Sequence, residues 1–288
     1  MDEEALKKYK KSFQISDEVM EFARGFAKEN AKVIDIADNI EDKIKSLGGK
    51  PAFPVNISIN EIAAHYTPDT DDVLVLQAGN LVKVDIGVHV DGYIVDRAFS
   101  VFIGHKSHPL IDATDKAVKE AVNVVKPGVK VSEVSEVIAD VIDSFGFNPI
   151  QNLCGHGLDR YVQHAPPTIP NGRNTSSEKI QAGKAIAVEV FATDGSGSVK
   201  ESSPTLIYRY LQDKSVRLME ARKILEVARE GFEGLPFAKR WLSKVASGPK
   251  LDIALRQLMD VGALEAYPVL KEEAGGIVAQ TETTIIVE

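Results

Sequence analysis

Two stretches of this chain repeat earlier ones, and the duplication narrows the architecture more than any other property. Val33, Ile40, Asp42, Ile44, Ser46, Gly48 and Pro51 recur as Val131, Ile138, Asp140, Ile142, Ser144, Gly146 and Pro149 at one constant offset. Further on, Gln77-Ala78-Gly79, leading to Val84-Asp85, is echoed by Gln181-Ala182-Gly183, leading to Val188-Glu189. Two matches in the same order at nearly the same offset predict a duplicated α+β unit. The expected shape is two similar halves around a shared cleft. Asp85 and Glu189 fall on the same step of each copy, so they would enter that cleft from opposite sides.

Local signals fill in the elements. Ser16 reads as an N-cap, with Val19, Met20, Phe22, Ala23, Phe26 and Ala27 following at helical spacing. A second helix is expected over 33–47, stopped by Gly48-Gly49 and Pro51, and its later counterparts over 111–125 and 131–145. Two more helices are expected near 215–230 and 250–261, joined by the segment around Trp241, which reads as core.

Between the first pair of helices and the second lies Val84-Asp85-Ile86-Gly87-Val88-His89-Val90-Asp91-Gly92-Tyr93-Ile94-Val95-Asp96. Asp91-Gly92 between alternating apolar runs is a strong signal for a two-residue turn, which pairs Val90 with Tyr93, Val88 with Val95 and Ile86 with Arg97. On that register Asp85 and Asp96 share a face with Gly87, His89, Ala98 and Ser100. They are diagonal neighbours, about 7–8 Å apart at the backbone, too far to share a proton and well spaced to share cations.

The chain has 288 residues, 44% of them hydrophobic and 26% charged, which suits a folded protein with a large core rather than a disordered one. A lone Cys154 excludes an intrachain disulfide framework. No apolar run is long enough to span a bilayer and the start lacks a signal-peptide pattern, so the expected location is the cytoplasm. A net charge of −8 opposes binding to DNA or to an anionic membrane. Lys7, Lys8, Lys10 and Lys11, mixed with acids, read as a solvated helix face.

Glu189 lies in the apolar run Ala185–Phe191, and Glu282 lies in Thr281–Val287. A carboxylate in such a strand is costly unless it is paired, hydrogen-bonded or metal-bound, and few basic residues lie nearby in sequence. His156, in Cys154-Gly155-His156-Gly157, reads as standing on a glycine-flanked turn with its imidazole free; without a second cysteine a structural zinc knuckle is excluded. His65 and His164 are the other candidates. Two Asp, two Glu and one His form an oxygen-rich set suited to a pair of divalent cations such as Mn²⁺, Co²⁺, Fe²⁺ or Zn²⁺, and to hydrolysis.

These residues resemble the methionine aminopeptidases of type 2, in their compact archaeal form. The likeness runs over nearly the whole chain, through Ala52-Phe53-Pro54, Ala63-Ala64-His65-Tyr66-Thr67-Pro68, the Asp85/Asp96 hairpin, Gly155-His156-Gly157, Val188-Glu189-Val190-Phe191 and Val278-Ala279-Gln280-Thr281-Glu282. It implies an α+β pita-bread fold: one catalytic domain over 1–288, two pseudo-symmetric halves and a helical insertion over 204–272. It also implies two divalent ions per chain, Asp85 on one, His156 and Glu189 on the other, and Asp96 and Glu282 bridging. A water between the ions would attack the carbonyl after an N-terminal Met. His65 and His164 would contact substrate near the scissile amide and its oxyanion, Glu189 would relay the proton, and Phe53 would wall the methionine pocket. The implied partners are the N-termini of nascent polypeptides and peptides, met by a monomer in transient association with the ribosome.

The chain departs from the family pattern at Val190, commonly Pro, and at Thr281 and Thr283, where Phe and His are usual; none is an expected ligand. Two alternatives share the fold. Prolidases and aminopeptidases P use the same ligand types but usually carry a large N-terminal domain. Non-catalytic relatives that bind protein or RNA have lost ligands, whereas all five positions are filled here.

Overall fold

The structure is a computed structural model that describes residues 1–288. The first half begins with α1 (Glu3–Phe26) and α2 (Val33–Ser46), followed by β1 (Lys50–Pro51), β2 (Asn56–Ile59), β3 (Ile62–Ala64), β4 (Leu81–Val90) and β5 (Tyr93–Phe102). The second contains α3 (Pro109–Val124), α4 (Val131–Ser144), β6 (Asn148–Pro149), β7 (Cys154–Asp159), β8 (Val162–Pro170) and β9 (Ala185–Thr193). Then come β10 (Val199–Tyr210), α5 (Met219–Gly231), β11 (Phe237–Ala238), α6 (Gly248–Asp260), β12 (Leu264–Glu272) and β13 (Val278–Ile286).

The duplication is visible in the pairing. β1 and β2 cover the outer edge of β4, as β6 and β7 cover that of β9, in a nine-stranded sheet ordered β1-β4-β5-β13-β9-β7-β8. Matching bridges, Lys32 to Val75 and Lys130 to Lys179, tie down the residue before α2 and the residue before α4. Asp85 lies opposite Ala98 and Glu189 opposite Glu282, while Ala98 and Glu282 pair with each other where β5 meets β13. A pseudo-twofold axis therefore passes through the centre of the sheet, beside the carboxylates. Apolar side chains of α1 and α2 pack on β2, β4 and β5, and those of α3 and α4 pack on β9 and β13, which leaves the carboxylate face to the cleft.

The hairpin register is the one that Asp91-Gly92 dictates: Val90 faces Tyr93, Ile86 faces Arg97, and both turn residues adopt positive φ. Three expectations need correction. Ser16 is not an N-cap; it is buried inside α1, which starts thirteen residues earlier, at Glu3, where the Asp2 carboxylate accepts the Ala5 N–H at 2.7 Å. The polar hydroxyl suggested a boundary, but the apolar face continues upstream through Tyr9 and Ile15. His156 lies on strand β7, between β9 and β8, rather than on a turn. Its flanking glycines serve close packing: a Cβ at Gly155 would meet the Ala187 carbonyl oxygen at 2.5 Å and one at Gly157 the Pro166 oxygen at 2.1 Å. Third, the segment between β9 and β13 is not only helical. β10 and β12 pair along their length in a second sheet, β11-β10-β12-β3, against which α5 and α6 pack.

Candidate metal centre

Five residues distant in sequence meet on the free face of the large sheet. Side-chain ligand atoms of Asp96, His156 and Glu282 lie within 4.8 Å of one another, as do those of Asp85, Glu189 and Glu282. Glu282 thus belongs to both sets. Glu189 groups with Asp85 and His156 with Asp96, a different division from the one the resemblance implies. The period-two alternation of four strands aims all four carboxylates at one place.

The electrostatics of this cluster are severe. Asp85, Asp96 and Glu282 are 7%, 2% and 3% exposed, and no Lys or Arg pairs with any of the four acids. One oxygen each of Asp85, Asp96 and Glu282 has no hydrogen-bond partner. Burial raises all four carboxyls above the usual carboxylate range; repulsion from Asp85 adds to the rise at Glu189, and from Asp85 and Glu189 at Asp96. Glu282 feels all three neighbours. Such a set calls for positive charge, and orphaned carboxylate oxygens beside an imidazole are donors suited to divalent ions.

The His156 ring is held in one orientation. Its Nδ1–H donates to the Gly157 carbonyl at 3.2 Å, which leaves the Nε2 lone pair free, and burial pushes its pKa down to about 4, so the ring is neutral. Supporting contacts hold the acids. Gln280, two residues before Glu282 on the same strand face, donates to Asp85 at 3.2 Å and to Glu189 at 3.0 Å. Thr284 exchanges two 2.8 Å bonds with the backbone N–H and C=O of Asp96.

The set opens into a cleft of about 390 Å³ lined by His65, His164, Asn56, Leu153, Phe191 and Leu270 among others. His65 follows β3 with φ of 66°, a left-handed conformation rare for a non-glycine residue and one that clusters at functional sites. Its Nδ1–H donates to the Pro268 carbonyl at 3.1 Å, and Tyr267 packs edge-on against its ring. Burial and then its neighbour His156 push the His164 pKa down to about 3; the two rings meet edge to face at 4.6 Å. Phe53 is placed differently from the rest. Its ring lies over Gly87, the register partner of Asp96, but it is buried in the apolar cluster with Tyr9, Ile94 and Leu158 and does not line the cleft.

Asn56, Gln280, Thr284 and Tyr267 escaped the sequence reading. Period two from Glu282 would have found Gln280 and Thr284; Asn56 and Tyr267 depend on strand pairings that no local pattern reveals.

The pattern of metallopeptidase family M24 matches residues 7–230. The chain is also 47% identical, over 96% of its length and 95% of the relative's, to a methionine aminopeptidase of Thermococcus onnurineus. The chain belongs to metallopeptidase family M24. This M24 chain shares its pita-bread fold with a methionine aminopeptidase crystal structure from Thermotoga maritima, at a TM-score of 0.71 and 20% identity, covering 100% of this chain and 94% of that one. It is likewise similar to the structure of a thermophilic Arx1, at a TM-score of 0.87 and 19% identity, over 99% of this chain and 88% of the other. At these identities both neighbours speak to M24 architecture alone.

Proposed function

We propose that this chain is a methionine aminopeptidase whose hydrolytic centre is built by Asp85, Asp96, His156, Glu189 and Glu282 holding two divalent ions of the Co, Mn, Fe or Zn class. The observation that carries the reading is the convergence of these five residues, three of them with an unpartnered carboxylate oxygen, at a cleft that Asp85, Asp96, His156 and Glu189 line. Bound there, the ions would acidify a water and polarise the carbonyl of the peptide bond after an N-terminal Met. Glu282, present in both groups of ligand atoms, would help to hold both ions. Glu189 would take the proton of the attacking water and return it to the leaving amine.

The cleft's own residues position the substrate. His65, with Nδ1–H committed to Pro268, presents the Nε2 lone pair to a substrate N–H. His164 is neutral and offers its ring N–H to the developing oxyanion. Leu153, Phe191 and Leu270 supply an apolar wall for an unbranched thioether side chain, with Phe53 behind the metal floor. Segment 204–272 acts as an insertion subdomain: through β12 it brings Leu270 to the cleft, packs Tyr267 against the His65 ring and pairs with β3 just before His65.

No helix is long and apolar enough to cross a membrane. The reading places the protein in the cytoplasm as a monomer acting on newly made chains, with only transient ribosome contact because its net charge of −8 disfavours RNA. The test is release of free methionine from Met-Ala-Ser, beside Lys-Ala-Ser and Ala-Pro-Ala, by chelated protein reloaded with Mn²⁺, Co²⁺, Fe²⁺ or Zn²⁺. Metal-dependent, Met-selective cleavage is expected. Cleavage of the proline peptide alone would point to a prolidase-like enzyme, and no cleavage by folded, metal-loaded protein would point to a binding protein.

A further inference from the structure

A second pocket, of about 340 Å³, lies outside the cleft and shares no residue with it. Lys45, Lys50 and His89 of the first half form one side, and Phe232, Glu233 and Trp241 of the inserted region form the other. His89 is 2% exposed, and its Nδ1 accepts the Gly92 N–H at 3.0 Å, within the turn of the β4–β5 hairpin. The ring hydrogen therefore sits on Nε2, which has no partner in the protein and is not sealed off from water. Burial pushes the His89 pKa down to about 4, so the ring is a neutral donor. Tyr161 packs edge-on against it, with ring centroids 5.8 Å apart, and its hydroxyl donates to Glu233 Oε1 at 3.1 Å. Lys50 donates to Glu233 Oε2 at 3.1 Å. Both oxygens of the one acid in the lining are thus engaged. Lys45 gives one N–H to Asp42 at 3.0 Å, so what the lining still offers is donors: His89 Nε2–H and the remaining N–H groups of two ammoniums. Trp241 spends its own N–H on Glu41 at 2.8 Å and presents only its ring, 5.6 Å from that of Phe232.

We propose that this pocket binds a small, flat organic monoanion, an aromatic carboxylate, with its charged end on His89 Nε2–H and the two lysines and its ring against Trp241 and Phe232. Two lysines against one glutamate leave a single positive charge in the lining, which matches a monoanion. The lysines disfavour a metal cation, and the nearby Glu233 carboxylate disfavours a dianion such as phosphate. An apolar wall with a few convergent donors is the usual make-up of a small-molecule site of this volume. Because the two sides come from the first half and from the inserted region, the bound anion would fasten one to the other. The inference stands apart from the aminopeptidase reading, since no residue of the metal centre takes part.

Trp241 is the chain's only tryptophan, so its indole resonance reports on this pocket. In zinc-loaded protein labelled with ¹⁵N at tryptophan, benzoate should move that resonance saturably, with half-saturation below about 10 mM. Benzyl alcohol has the same ring without the charge and acetate has the charge without the ring; each should bind about tenfold more weakly. His89→Phe keeps a ring but loses the N–H and should weaken benzoate about tenfold. Lys45→Met removes a half-exposed charge and should weaken it about threefold; it carries the test if His89→Phe, which also strips Gly92 N–H of its acceptor, folds poorly. A resonance that benzoate leaves in place, benzyl alcohol or acetate binding as well as benzoate, or unaltered benzoate affinity in Lys45→Met or in folded His89→Phe would each overturn the assignment. Benzoate that slows methionine release without moving the resonance binds elsewhere, and overturns it too.

Discussion

Asp85, Asp96, Glu189 and Glu282 are buried acids held above the usual carboxylate range, chiefly by desolvation and then by one another. A raised carboxyl binds its proton more tightly in the folded than in the unfolded chain. Between the ordinary value near ~4 and the raised folded values the unfolded chain therefore holds fewer protons, and the cluster's contribution to stability falls as pH rises. The chelated protein should thus melt at a lower temperature at about pH 8 than at about pH 5. Added Mn²⁺ should recover more at the higher pH, and Glu282→Gln should shrink the difference. A metal-free melting temperature that rises over this range, with the variant unaltered, would contradict the electrostatic account. His164 gives the complementary case, since it lines the cleft but is in neither ligand set. His164→Ala should keep both metals while kcat falls on the order of a hundredfold or more; lost metal would mean that its role is ligation.

The β4–β5 hairpin shows how far local pattern reaches, and β7 shows where it stops. Alternation plus Asp91-Gly92 was enough to set the register and put Asp85 and Asp96 on one face, because turn geometry and pleat are short-range properties. His156 was legible as a candidate ligand but not as a strand residue. Its glycines answer to carbonyls of Ala187 and Pro166, far away in sequence. The β10–β12 pair was missed for a related reason: Glu201-Ser202-Ser203-Pro204 breaks the alternation, and the pairing shifts register around Thr205. At β13, Thr284 bonds both polar backbone groups of Asp96. Thr284→Val leaves those buried groups unpaired and should cost about 1–3 kcal/mol in denaturant unfolding, with weaker metal binding. An unchanged midpoint and metal affinity would show that Asp96 is held by other means.

On the scale of the whole molecule, duplication supplies the scaffold but not the chemistry. Lys83 and Ala187 stand at the same offset as Asp85 and Glu189, and they pair with Ser58 and His156 respectively, so only the second half carries the imidazole. The region after β10 is fastened back to the first half by a buried ion pair between Arg240 and Glu41. Thr67 accepts from Arg240 at 2.6 Å and Trp241 donates to Glu41 at 2.8 Å. Arg240→Met strands the Glu41 carboxylate and should cost about 3–5 kcal/mol, whereas replacing both residues with methionine should recover most of it. Recovery that fails would mean that the network holds the inserted region in place by more than charge balance. The central claim, that five residues from both halves form one two-ion hydrolytic centre, is tested most directly by counting metal. Elemental analysis of chelated and reloaded protein should find two ions per chain in the wild type and fewer in Asp96→Ala, with methionine release falling in step. Two retained ions and full turnover in Asp96→Ala would contradict it.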